Sequence, residues 1–216
     1  VNDDFRRSIE RGDVDAIRRA LETDPGLANA TIRWHLNQDN ESNPLHYVSD
    51  AVFNGWLTNG TEARIAETLL ASGAAIEGTE GRESPLIAAV SLGVEAVARV
   101  LVDAGANLEA TSIFGARALH WAAWTGASTV VELLIAHGAT LEAKDSEFGA
   151  TPLFWAVHGD GPNGPPEKHD QVGAARLLIA SGATVNASNQ DGLSAIELAK
   201  TSESGRMLEL LRQHLS

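Results

Sequence analysis

The stretch RALHWAAWTGASTVVELLIAHGATLEA, Arg117 to Ala143, decides the fold because it is not unique in the chain. One copy earlier stands SPLIAAVSLGVEAVARVLVDAGANLEA, Ser84 to Ala110. One copy later TPLFWAVHG begins at Thr151 and, after an insertion, DQVGAARLLIASGATVNA closes at Ala187. Leu86, Leu119 and Leu153 are 33 and 34 residues apart, and Gly105 and Gly138 are 33 apart. A fixed period in this range marks stacked supersecondary units, each unable to bury its apolar face alone.

Each copy reads as a short apolar helix, a glycine turn, a second apolar helix and a Gly-Ala exit. Leu119, Ala122 and Ala123 lie on one side of the first helix, and the alanines permit close approach of a neighbour. In the second helix Val130, Val131, Leu133, Leu134 and Ile135 form a broad apolar surface that one hairpin cannot cover. Gly126 and Gly138 stand where helices end in a left-handed residue. Thr151-Pro152 is a helix start, a hydroxyl cap followed by proline where no backbone N–H is needed.

The signature at the head of each copy, NPLH at Asn43 to His46, SPLI at Ser84 to Ile87, RALH at Arg117 to His120 and TPLF at Thr151 to Phe154, resembles the Thr-Pro-Leu-His motif of the ankyrin repeat. The resemblance implies an all-α repeat solenoid of antiparallel helical hairpins joined by short turns. The less regular ends fit the same pattern, with the arginines of the first unit on its exposed side. Six units are expected, at about 1–30, 31–78, 79–110, 111–143, 144–187 and 188–216, in one domain. It also implies that the rings of His46 and His120 hydrogen-bond to backbone near the turns. Tyr47, Trp121 and Trp155 follow in the next slot, where large rings pack between repeats. The position near the end of the first helix, which in ankyrin domains resembles a groove-facing one, holds Asp50, Ser91, Trp124 and His158.

Composition narrows the functional classes. The chain has 216 residues, 44% of them hydrophobic, and a formal net charge of −13 from 29 acidic and 16 basic residues. That balance provides no Lys/Arg stripe for phosphates, so neither nucleic acid nor an anionic membrane is expected as a partner. With no cysteine there is no disulfide, no thiolate metal site and no thiol nucleophile. The beginning, VNDDFRRSIERGD, lacks the apolar run of a signal peptide, and no stretch approaches the length of a membrane span. A cytoplasmic protein is the expectation.

The departures from the repeat carry the functional signal. Leu45 to Leu86 spans 41 residues and Leu153 to Ile196 spans 43, so the second and fifth units hold insertions. Insertions in repeat arrays emerge as loops at one edge, often the binding edge. Trp34, His35, Tyr47, Asp50, Phe53 and Trp56 concentrate in the second unit, and His158, Asp160, Lys168, His169 and Asp170 in the fifth. The turns before the fourth and fifth units add Ile113, Phe114, Glu147 and Phe148. The expected function is a protein-binding scaffold whose groove and inserted loops present Trp34, Tyr47, Trp56, Phe114, Trp124, Glu147 and His158. The alternative is a cofactor-independent enzyme or small-molecule binder, with His158, His169, Asp50 and Asp160 as acid–base candidates. No HExxH, calcium-loop or phosphate-loop motif is present, and no metal or organic cofactor is expected.

Overall fold

A computed structural model describes residues 3–34, 40–162, 164–165, 170–201 and 204–215. Among these the chain forms twelve α-helices that follow one another as hairpins, and it divides into two compact units, Val1–Asn107 and Leu108–Ser216.

The first unit contains α1 (Asp3–Glu10), α2 (Val14–Thr23), a 3₁₀ turn (Pro25–Asn29), β1 (Ile32–Trp34), β2 (Asn40–Ser42), α3 (Pro44–Phe53), α4 (Glu62–Ala71), α5 (Pro85–Ser91) and α6 (Glu95–Asp103). Two of its helices begin in the same way, a capping side chain followed by proline. The Asn43 side-chain oxygen accepts the His46 N–H at 3.0 Å and the Ser84 hydroxyl accepts the Ile87 N–H at 3.3 Å. Ile9, Ile17, Leu45, Ile65, Leu69 and Leu101 are fully enclosed. Each such side chain stabilises the fold by roughly 1.5–3 kcal/mol relative to exposure. Arg7, Arg18 and Arg19 face outward as expected, whereas Arg6 is half-buried and donates to Glu10 at 2.6 Å.

The all-α expectation needs one addition. β1 and β2 pair antiparallel with Trp34 opposite Asn40 and Ile32 opposite Ser42. Side chains alternate across a strand. Ile32 therefore turns into the core, while Arg33 turns outward and pairs with Glu41 of the opposite strand at 3.1 Å.

The second unit contains α7 (Ala118–Thr125), α8 (Ser128–Ala136), α9 (Pro152–Asp160), α10 (Gln171–Ala180), α11 (Ala195–Thr201) and α12 (Gly205–Gln213). Leu119 and Leu134 are buried, as the apolar pattern demands. Gly126 ends α7 with φ of 73°, and a Cβ there would lie 2.7 Å from the backbone nitrogen of Gln171. Glycine is therefore required at this position twice over, for its left-handed backbone and for the closeness of α10. The turns ahead of α7, α9 and α11 are laced together. Ser146 N–H donates to the Phe114 carbonyl at 3.0 Å, and Gln190 N–H to the Phe148 carbonyl at 2.9 Å. No described helix is long and apolar enough to cross a membrane.

Candidate functional site

The second unit carries a partly open cavity of 360 Å³ whose wall is largely aromatic. Trp121 and Trp124 come from α7, and Phe154, Trp155 and His158 from α9. Residues three or four apart share one face of a helix, so each helix contributes a continuous strip of rings. Phe114, Phe148 and Asn189 come from the laced turns, which place them at the same edge. α9 approaches α7 closely at Gly159, where any side chain would collide with the Trp124 carbonyl oxygen.

The rings meet as corners. The planes of Trp121 and Trp124 stand at 88° with centroids 5.8 Å apart, and those of Trp121 and Trp155 at 72° and 5.2 Å. Phe114 tilts at 45° to Trp121 at 6.2 Å. Both inner indoles are anchored by their N–H groups. Trp155 Nε1 donates to Asp145 Oδ2 at 2.8 Å and Trp121 Nε1 donates to the Ser112 hydroxyl at 3.3 Å. Asp145 is itself buried and also accepts the backbone N–H groups of Glu147, Phe148 and Ala150. One carboxylate thus shapes the turn that carries Phe148 and holds the ring of Trp155.

Behind the wall, His120 takes the role implied by the repeat signature. Its Nδ1 accepts the Arg117 N–H at 3.1 Å, so Nε2 carries the proton and donates to the carbonyls of Ala143 at 3.0 Å and Ala150 at 3.2 Å. Burial pulls its pKa down to about 4 against the pull of those carbonyls and of Asp145. His158 stands at the rim with its ring exposed on one side. Burial on the other side lowers its pKa from the ordinary histidine value. Asp160, at the end of the same helix, accepts a hydrogen bond from Ser204. Glu147 is exposed beside Phe148. His169 lies outside the described residues, as do His35 and Lys168.

The remaining candidates lie in the first unit. Trp34, Tyr47 and Trp56 come together, with ring centroids 5.1 Å and 6.3 Å apart along the series. Tyr47, read both as a packing ring and as a groove residue, is completely enclosed and so not at a ligand surface, and its hydroxyl donates to Glu10 Oε1 at 2.6 Å. Burial and the adjacent Glu10 carboxylate raise its pKa above the usual phenol range. Tyr47 is a packing residue, while Trp34 is half-buried and Trp56 is exposed at 37%. Asp50 accepts the Ser42 hydroxyl at 3.2 Å and lies 3.6 Å from His46 Nε2. Burial raises its pKa, opposed by His46 and Ser42. The acid–base candidates are therefore divided, Asp50 in the first unit and His158 with Asp160 in the second.

Several lining residues fell outside the sequence expectation. Trp121 and Trp155 read as packing rings, and they do pack, but each also faces the cavity. Phe154 occupies the slot that His120 holds one copy earlier, and Asn189 lies in a turn with no motif of its own. The signal for the two tryptophans was their spacing, three residues ahead of Trp124 and His158 and hence on the same helical face.

Hairpins of this period, with a histidine tying successive turns and a side-chain cap at the helix start, define a repeat protein of one class. The chain belongs to the ankyrin repeat family: models of ankyrin repeats match residues 54–145, as three copies, and residues 148–190, together more than half of the chain. It is 30% identical over 113 residues to the palmitoyltransferase Hip14 of Drosophila melanogaster, a match covering 52% of this chain and 16% of that protein. It is 31% identical over 127 residues to mouse ankyrin repeat and SOCS box protein 6, covering 58% and 28%, and 36% identical over 107 residues to the mouse B-cell lymphoma 3 protein homolog, covering 49% and 21%. The matched region is thus a minor part of each relative. An ankyrin repeat domain from Acinetobacter baumannii AYE superposes with a TM-score of 0.75 at 23% identity, covering 97% of this chain and 96% of that one. That likeness concerns the fold.

Proposed function

We propose that the chain is a protein-binding scaffold and that the second unit holds its partner through the aromatic cavity, with Phe114, Trp124, Glu147 and His158 at the contact. Ankyrin repeats generally mediate protein–protein interaction. The observation that carries the reading here is the cavity wall: among the described residues, six aromatic rings converge on one space, relieved by one imidazole and one amide. Rings of this kind supply the central anchors of protein interfaces. Ile113, 85% exposed, and Phe148, 46% exposed, extend the apolar surface along the turns. The cytoplasm is part of the same proposal, on the strength of an acidic, cysteine-free composition. The palmitoyl transfer named for Hip14 is not carried over to this chain, because the match covers 16% of that protein.

The test is capture of a partner by the immobilised chain, followed by calorimetry on the purified pair. Trp124→Ala and Phe114→Ala are each expected to weaken affinity at least tenfold, about 1.4 kcal/mol, with helical content unchanged. Affinity equal to that of the parent in both variants overturns the assignment of this face.

A further inference from the structure

We propose that the cavity of the second unit receives a methylated ammonium group, the head of an Nε-trimethylated lysine on the protein partner. The inference rests on the protein-binding reading above and adds the chemistry of the anchor.

Shape comes first. At 360 Å³ the cavity falls in the range of ligand pockets, about 300–1,000 Å³, and admits a side chain but not a helix. Trp121 is inclined at 88° to Trp124 and at 72° to Trp155. Parallel rings make a slot for a flat ligand; rings at right angles make a corner that suits a rounded group.

Charge comes next. Indole faces carry negative quadrupole potential and attract a cation, tryptophan most strongly of the aromatic residues. Three of the lining rings are tryptophans, and among the described residues no lysine or arginine lines the cavity. Trp155 donates its N–H to the Asp145 carboxylate at 2.8 Å. That bond draws the N–H dipole toward an anion and enriches the ring in electron density, which strengthens its attraction for positive charge. His120, whose ring lies 5.6 Å from Trp155, is held neutral by its burial and contributes no opposing charge. Glu147 stands exposed beside Phe148, and acidic residues outnumber basic ones across the unit. A basic partner segment is favoured on approach.

Hydrogen bonding then selects among cations. An unmodified lysine ammonium has three N–H donors and an arginine guanidinium five. Among the described residues, the polar side chains that line this wall and could replace the water those donors would lose are His158 and Asn189, and unpaired donors are costly to bury. Trimethylation removes all three donors while keeping the charge. The group that matches a corner of rings with few acceptors is a rounded, donor-free cation.

The experiment is titration of the purified chain with three Gly-Gly-X-Gly-Gly peptides, read by tryptophan fluorescence and by the indole N–H resonances. X is trimethyllysine, lysine, or the neutral analogue in which a tert-butyl carbon replaces the trimethylammonium nitrogen. Tetramethylammonium chloride is titrated alongside. The trimethyllysine peptide is expected to bind about tenfold more tightly than either of the others, and Phe148→Ala, which removes an exposed ring, to weaken it severalfold at unchanged helical content. Equal affinity for the neutral analogue overturns the cation and leaves the cavity an ordinary apolar anchor, so the protein-binding reading survives. Binding of tetramethylammonium without preference for the trimethyllysine peptide overturns the protein-borne source. Absence of binding by every probe also overturns the proposal; partner capture that still depends on Trp124 then keeps the wider reading, and capture indifferent to Trp124 removes both.

Discussion

His120 gives the most direct test of the physical reasoning, because its burial and its hydrogen bonds predict how stability responds to acid. Its ring is fully enclosed and its pKa is depressed from 6.5 to about 4, burial being the main cause. In the unfolded chain the imidazole takes up a proton below pH 6.5; in the folded chain it does so only near pH 4. Between those values the unfolded state holds more protons, so stability falls as the pH falls and is unaffected by this group above the window. The whole gap corresponds to about 3 kcal/mol at 1.36 kcal/mol per pKa unit, and about 2 kcal/mol of it is lost between pH 7 and pH 5.

The assay is urea denaturation at pH 7 and pH 5 of the parent and of His120→Phe, phenylalanine being the residue that Phe154 places in this slot one copy later. Asp50 and Glu83 have pKa values raised by burial, which acts with the opposite sign, and they are the same in both proteins, so they cancel from the comparison. At pH 7 the variant is the less stable, since the carbonyls of Ala143 and Ala150 lose their donor. Its further loss on going to pH 5 is expected to be smaller than the parent's by about 2 kcal/mol. Parallel losses in the two proteins would refute the claim that this imidazole stays neutral in the fold.

Two further outcomes test the fold itself by denaturation. Gly126→Ala is expected to cost more than the ~1–3 kcal/mol of left-handed strain alone, since its Cβ meets the Gln171 backbone at 2.7 Å; Gly138→Ala, with φ of 86° but open space around it, should show the strain only. Equal costs at the two sites would contradict the close approach of α10 to Gly126. Leu134→Ala, at a fully buried position, is expected to cost roughly 2–5 kcal/mol, and a loss below 1 kcal/mol would place that side chain outside the core.

How much of this was legible in the sequence depends on whether a feature recurs. The spacing of Leu86, Leu119 and Leu153, the glycine ends and the Thr151-Pro152 cap specified the hairpins, because each is a local requirement repeated in register. β1 and β2 were not legible. Each has three residues, too few for a period of two to stand out from an irregular loop, and their pairing is a backbone ladder that spacing does not announce. For Tyr47 the sequence left two readings, a packing ring and a groove residue. The packing reading holds, because Glu10, supplied from α1, satisfies the hydroxyl inside the core.

The cavity shows why recurrence both reveals and conceals a site. Phe114, Trp121 and Trp124 of one copy correspond to Phe148, Trp155 and His158 of the next, each pair 34 residues apart. A strip of three side chains on one hairpin makes a surface; two such strips, brought together by the packing of α9 against α7, make a partly open cavity. In sequence the matched pair of tryptophans therefore reads as repeat packing, since equivalent positions usually serve equivalent neighbours. Only the mismatched pair, Trp124 and His158, stands out as functional. In the folded unit both pairs line the same cavity, with Trp155 buried, Trp121 and Trp124 half-buried and His158 exposed. Asp145 is the part that no pattern exposes. It is a single acid in a turn, and its importance comes from the indole and the three backbone N–H groups that converge on it in the fold. Recurrence supplied the walls of the site, and one buried carboxylate fixes Trp155 and the turn that carries Phe148.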